Sequence, residues 1–186
     1  FSGGGGKGAY EIGVWKALKE YEIDTKITAV AGTSVGGLNG ALFANNLFDK
    51  ALEIWSNISD EMILNIKDDK KNALKKYLKL TVHYFGKKFL NSKIISRKGL
   101  KDLLISTISK IGIKSDLPFY ICATKVFGDE KIPFYKKLNG LDSDDIIKYL
   151  LASANIPQLW EPIKIDNSDF VDGCLVDNTP VKPLIE

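Results

Sequence analysis

Ile27-Thr28-Ala29-Val30-Ala31-Gly32-Thr33-Ser34-Val35-Gly36 is the stretch on which the fold turns. Its first five residues form a short apolar run rich in β-branched side chains, the pattern of a strand covered on both faces. Gly32-Thr33-Ser34-Val35-Gly36 then fits G-x-S-x-G, and Gly36 to Asn46 carries Leu38, Ala41, Leu42 and Ala44, which reads as a helix. Strand, Gly-rich turn and helix make half of a βαβ unit, so the chain is read as α/β. A serine on so tight a turn takes strained dihedrals, and glycines two residues to either side let strand and helix approach closely. The helix N-terminus favours developing negative charge. This is the context of a nucleophile elbow, and the competing reading is a serine that only caps the helix.

Upstream, Gly3-Gly4-Gly5-Gly6-Lys7-Gly8 precedes a helical pattern from Ala9 to Glu20. Gly3, Gly5 and Gly8 formally satisfy G-x-G-x-x-G, but the next strand runs into a serine where a dinucleotide fold places a ribose-binding acid. A P-loop fails as well, because Lys7 is followed by Gly8 instead of Ser or Thr. What the run offers is bare backbone N–H groups at a helix N-terminus, suited to an anion or a tetrahedral oxyanion.

Downstream, Lys70 to Phe85 has a 3.6-residue period, with Leu74, Tyr77, Leu78, Val82 and Phe85 on one face and Lys75, Lys76 and Lys79 on the other. A further helix is expected from Arg97 to Lys110, and strands at Phe119–Thr124 and Phe134-Tyr135. Asp144 to Ala154 is a helix capped by Asp142 or Ser143. Ile163–Ile165 and Asp169–Val171 form a hairpin about Asp166-Asn167.

A serine nucleophile needs a base. The sole histidine, His83, lies on the lysine side of the 70–85 helix and breaks the Ser, acid, His order of α/β-hydrolases. The base is therefore a carboxylate, an amine or water. Asp172 is attractive, since strand-like Phe170-Val171 precedes it and Gly173 permits a tight turn. On spacing alone it is one of several acidic residues. An unperturbed aspartate titrates at about 3.9, so useful basicity at neutral pH requires desolvation.

Composition narrows the classes. The length of 186 residues suits one domain, and 45% hydrophobic with 26% charged residues excludes a disordered chain. Cys122 and Cys174 with a single histidine exclude a disulfide scaffold and a usual structural zinc site. No apolar run reaches the roughly 18 to 20 residues that cross a bilayer. The expected location is cytoplasmic or peripheral to a membrane. From Lys67 to Lys101, twelve Lys and Arg face two Asp for a net +10, while the rest of the chain carries −7. That patch suits a phosphate-bearing surface. It lacks the interleaved aromatics and signatures of nucleic-acid binders, so no nucleic-acid partner is expected.

Taken in order, Ser2–Gly8, Gly32–Gly36 and Asp172-Gly173 resemble the oxyanion-hole, nucleophile-elbow and D-G-A/G motifs of the patatin-like phospholipase family. Ala152-Ser153-Ala154-Asn155-Ile156-Pro157 and Val176-Asp177-Asn178-Thr179-Pro180 are similar to family segments too, so the likeness covers essentially the whole chain. It implies a three-layer fold with a mainly parallel central sheet flanked by helices and a helical cap. Residues 1–186 are then expected to form a single domain whose first strand is largely missing ahead of Phe1.

The resemblance also implies a lipid acyl hydrolase of phospholipase A or lysophospholipase type, acting through a serine–aspartate dyad without histidine, metal or organic cofactor. Ser34 would be the nucleophile and Asp172 the general base. N–H groups around Gly4, Gly5 and Gly6 would form the oxyanion hole, with Lys7 where the family carries Arg or Lys. Gly3, Gly8, Gly32, Gly36 and Gly173 complete the motifs, and Cys174 replaces the usual Ala or Gly. Substrates would be phospholipids or other acyl lipids. Trp55 to Lys101 is expected to cap the cleft, with Trp55, Ile58, Met62, Ile63 and Leu64 at its apolar rim and its lysines against anionic headgroups. The alternative is a catalytically idle family member serving in storage or interaction.

Overall fold

The structure is a computed structural model and describes residues 1–59, 62–63, 96–109, 112–157 and 159–185. A 3-10 turn at Gly5–Lys7 opens directly into α1 (Gly8–Glu20), followed by β1 (Val30–Thr33), α2 (Val35–Ala44) and α3 (Phe48–Asn57). Then come α4 (Lys98–Leu104) with a π-helical turn (Ile105–Ser109), β2 (Phe119–Phe127), β3 (Glu130–Lys137), α5 (Ser143–Ser153), β4 (Ile163–Ile165) and β5 (Ser168–Asp172).

The expected α/β architecture, a sheet flanked by helices, is what the chain forms. β1 pairs with β2 in parallel, from Val30 opposite Phe119 to Thr33 opposite Cys122. Phe1 adds a parallel rung to β1, donating its N–H to Ala31 O and accepting from Thr33 N–H. Among the described residues the remaining pairings, β2–β3, β2–β5 and β4–β5, are antiparallel. The parallel character expected of the sheet thus resides in the strand–turn–helix unit. β5 meets β2 from across the sequence. Short hairpin turns reverse the chain between β2 and β3 and between β4 and β5, and a reversed strand can only pair antiparallel with the one it has just left. The turn at Asp166-Asn167, both with φ above +45°, is one of these.

The register brings two strand ends together. β3 occupies one flank of β2 along Tyr120–Phe127, so β1 and β5 share the other. β1 stops opposite Cys122 and β5, running the opposite way, stops with Asp172 opposite Ala123. The C-terminal ends of β1 and β5 therefore meet head-on beside the middle of β2.

Helices fix this junction from outside. Phe119, Ile121, Leu138, Ile146 and Leu150 are fully buried, each contributing about 1.5–3 kcal/mol. α2 and α5 both lie against β2. α1, α2 and α3 are joined by Trp15, whose ring sits 4.8 Å from Phe43 and 5.2 Å from Phe48.

The elements differ from expectation at particular residues. β1 begins at Val30 instead of Ile27, because its ladder partner begins only at Phe119 and Pro118 has no N–H to extend it. β2 continues past Thr124 to Phe127, held by β3 to its end and by β5 as far as Val126. Asp142 is the cap of α5, accepting from Asp145 N–H at 2.8 Å. The expected 70–85 helix lies outside the described residues, as do His83 and most of the 55–101 cap.

Candidate active site

The elbow is built where β1 hands over to α2. Ser34 has φ 55° and ψ −127°, a left-handed conformation that costs a non-glycine residue on the order of 1–3 kcal/mol. A β-carbon at Gly32 would collide with the carbonyl oxygen of Gly36, and one at Gly36 would come within 2.6 Å of Ser2 O. The G-x-S-x-G glycines are thus required by backbone approach, one to the helix and one to the chain's first residues.

Ser34 does not cap α2 with its side chain. Its hydroxyl donates instead to Asp172 Oδ2 at 2.6 Å, and both residues are buried, Ser34 8% and Asp172 1% exposed. The capping reading of this serine is thereby replaced by a serine–carboxylate pair. Asp172 is held on every polar group. Its Oδ1 accepts from Cys174 N–H at 2.9 Å, its carbonyl accepts from Thr124 Oγ1 at 2.7 Å, and its N–H donates to Asn155 O at 2.8 Å. Gly173 must lack a side chain here, since a β-carbon would strike Cys122 O and approach Thr33 Cγ2 to 2.9 Å.

Burial is the largest influence on the Asp172 carboxyl and holds it above the ordinary carboxylate range; the Ser34 hydroxyl and the N–H and thiol of Cys174 pull the other way. Penalising the charged form makes this carboxylate a better proton acceptor than a solvated aspartate. Cys174 is exposed as a residue, yet its thiol is pushed up to about 12, first by lost solvation and then by the Asp172 charge.

The glycine run borders Ser34, as a β-carbon at Gly3 would lie 3.2 Å from Ser34 Cβ. Gly3 N–H is taken by Asn178 O at 3.1 Å, Lys7 N–H by Gly4 O at 3.2 Å, and Gly8 N–H by Gly5 O and Gly6 O. Among the described residues no acceptor meets the N–H groups of Gly4, Gly5 or Gly6. Of the expected oxyanion residues, then, these three have free donors, whereas the Lys7 amide is spent in the turn and its side chain is exposed.

Polar residues that motif reading does not single out tie the run to the body. Glu11 accepts from Ser2 N–H at 2.6 Å and from Asn39 Nδ2 at 2.8 Å, and Asn39 also donates to Gly8 O at 3.0 Å. Trp55 Nε1 donates to Asn39 Oδ1 at 2.8 Å. Trp55 therefore belongs to α3 and packs on Gly8 instead of lining a cap rim, because Phe48, Ala51 and Trp55 share a helical face turned to the body. Ile58 and Ile63 are half-buried and Met62 is exposed, while Leu64 lies outside the described residues. Of the Lys67–Lys101 patch only Arg97, Lys98 and Lys101 are described. Arg97 is engaged, donating to Glu161 O at 2.5 Å and lying over the Trp160 ring.

A groove of about 750 Å³ runs beside the glycine run along α1, lined by Phe1, Lys7, Tyr10, Val14 and Leu18 among others. Neither Ser34 nor Asp172 lines it. Among the described residues no group of three or more His, Cys, Asp or Glu side chains is arranged to hold a metal ion.

A family model described as patatin-like phospholipase matches residues 1–185. Relatives include an uncharacterized NTE family protein of Mycobacterium bovis and its namesakes in two strains of Mycobacterium tuberculosis. Each is 23% identical over 182 residues, covering 97% of this chain and 43% of the relative. The chain thus spans less than half the length of these proteins.

Proposed function

The chain belongs to the patatin-like phospholipase family, and on that premise we propose that it hydrolyses fatty-acyl esters through Ser34 and Asp172, in the manner of a phospholipase A or lysophospholipase. The observation that carries this reading is the 2.6 Å bond from a strained, buried serine hydroxyl to a desolvated carboxylate.

In the first step Ser34 Oγ attacks the ester carbonyl carbon while its proton passes to Asp172 Oδ2. The carbonyl oxygen becomes an oxyanion, met by the free N–H groups of Gly4, Gly5 and Gly6. Collapse breaks the ester C–O bond, and Asp172 returns the proton to the departing alkoxide. In the second step water attacks the acyl-serine and gives a proton to Asp172. Collapse frees the fatty acid, and Ser34 regains its proton. The N–H of Ser34 is bonded to Ser153 Oγ and is not available to the oxyanion.

The substrate is a phospholipid or related acyl lipid, as the family description suggests. The excess of cations between Lys67 and Lys101 supports peripheral contact with an anionic lipid surface. Labelling with a fluorophosphonate probe and turnover of p-nitrophenyl esters test the reading together. The protein is expected to label at Ser34 and to turn over ester, and Ser34→Ala to do neither. A folded sample that fails to label would mark a catalytically idle family member.

A further inference from the structure

Two hydrogen bonds lead from the dyad to one short segment. Ser153, the last residue of α5, accepts the Ser34 N–H at 2.9 Å through its Oγ. Two residues on, Asn155 accepts the Asp172 N–H at 2.8 Å through its carbonyl. The segment from Ser153 to Asn155 therefore grips the backbones of both dyad residues, which reach it from strands that approach each other head-on.

Ser153 is fully buried, and its single proton is committed, because Oγ also donates to Cys122 O at 2.6 Å. Cys122 is the β2 residue opposite which β1 ends. With the proton fixed on that carbonyl, the remaining lone pairs of Ser153 are left to receive the Ser34 N–H. Ser34 is held at φ 55°, which the surrounding structure must over-determine for it to persist. The Ser153 bond acts on that torsion directly, since it sets the direction of the peptide N–H preceding the Ser34 α-carbon.

From this geometry we propose that Ser153 is a positioning residue. It locks the elbow dihedral and, with the Asn155 carbonyl, sets the separation of Ser34 Oγ and Asp172 Oδ2. It touches neither substrate nor the reacting atoms. The catalytic part of this inference rests on the hydrolase reading above; the clamp itself does not.

The test uses Ser153→Ala, which removes the acceptor, and Ser153→Cys, which keeps the volume but offers a poor one. Amide hydrogen exchange at Ser34, followed by NMR, reads the clamp whether or not the protein turns over. Exchange should be about tenfold faster or more in both variants, with α1 amides unaffected. With a p-nitrophenyl ester, kcat should fall about 10- to 100-fold while KM stays within about twofold, the sign of lost alignment without lost binding. Equal Ser34 protection in the parent and in whichever variant folds overturns the clamp, and an unchanged kcat beside faster exchange overturns its positioning role in turnover. A parent that exchanges slowly at Ser34 yet shows no turnover would sink the hydrolase reading alone, leaving the exchange comparison to decide the clamp.

Discussion

Thr33 and Asp172 end their strands against adjacent residues of β2, Cys122 and Ala123, with β1 and β5 pointing at one another. The residue after Thr33 is Ser34, so the register of one central strand fixes the spacing of the Ser34–Asp172 pair. A change that shifts either strand end along β2 is felt first as a lengthened bond between Ser34 and Asp172.

The acid limb of activity should lie at higher pH than a solvated aspartate would give. Burial raises the Asp172 carboxyl, and the base is lost on protonation. A pH profile of kcat/KM checks this, and an acid limb in the ordinary carboxylate range would count against Asp172 as base. The same shift sets a stability trend of definite sign. Between the unfolded and folded values the native state binds the proton and the unfolded chain does not, so stability falls as pH rises. Asp172→Asn should therefore have a Tm at pH 7 at or above the parent's. The difference should shrink at acid pH, while turnover falls about 1,000-fold or more at every pH.

Gly32→Ala and Gly6→Ala should separate the elbow from the oxyanion run. A β-carbon at Gly32 meets backbone at Gly36, which cannot yield without moving α2. That overpacking should cost about 1–3 kcal/mol or more and remove activity with the fold weakened. At Gly6 nothing lies within 4 Å of the added carbon and φ is not in the left-handed region, so Tm should stay within about 2 °C of the parent. Thermal melts alongside ester turnover distinguish the two.

Much of this was legible in the sequence because it is written in local patterns. Gly32–Gly36 carries its strand and helix with it, Asp142 stands before the α5 helix as a cap, and Asp166-Asn167 marks its own hairpin. What escaped depends on distant partners. Ser153 and Asn155 fall in a segment noted only for its resemblance to the family, and nothing nearby announces that one holds Ser34 and the other Asp172. α3 escaped although Phe48, Ala51 and Trp55 recur at helical spacing, because the helix is short and no side chain caps it. The antiparallel pairing of β2 with β5 is likewise invisible locally, since Lys125 interrupts the apolar run that the ladder continues through.

The Cys174 thiol interacts with the Asp172 carboxylate and lowers its pKa against the effect of burial. Cys174→Ala keeps the backbone N–H to Asp172 Oδ1 but removes that thiol. The acid limb should then move to higher pH, with kcat on the plateau within about threefold of the parent. An acid limb that moves the other way would contradict this role of the thiol.

If the basic patch meets lipid, flotation on vesicles containing phosphatidylserine should weaken with salt and with charge reversal. Lys98 and Lys101 are exposed, whereas Arg97 is occupied by Glu161 and Trp160. Lys98→Glu with Lys101→Glu should lower partitioning about tenfold or more. Binding indifferent to both salt and lipid charge would rule out electrostatic docking.

Ser34 and Asp172 lie 138 positions apart. A ribosome releases Ser34 long before Asp172, so the nascent chain carries a hydroxyl with no partner to take its proton. The pair is assembled only when the late strand docks beside the early one, so unfinished copies and N-terminal fragments lack the Asp172 carboxylate altogether.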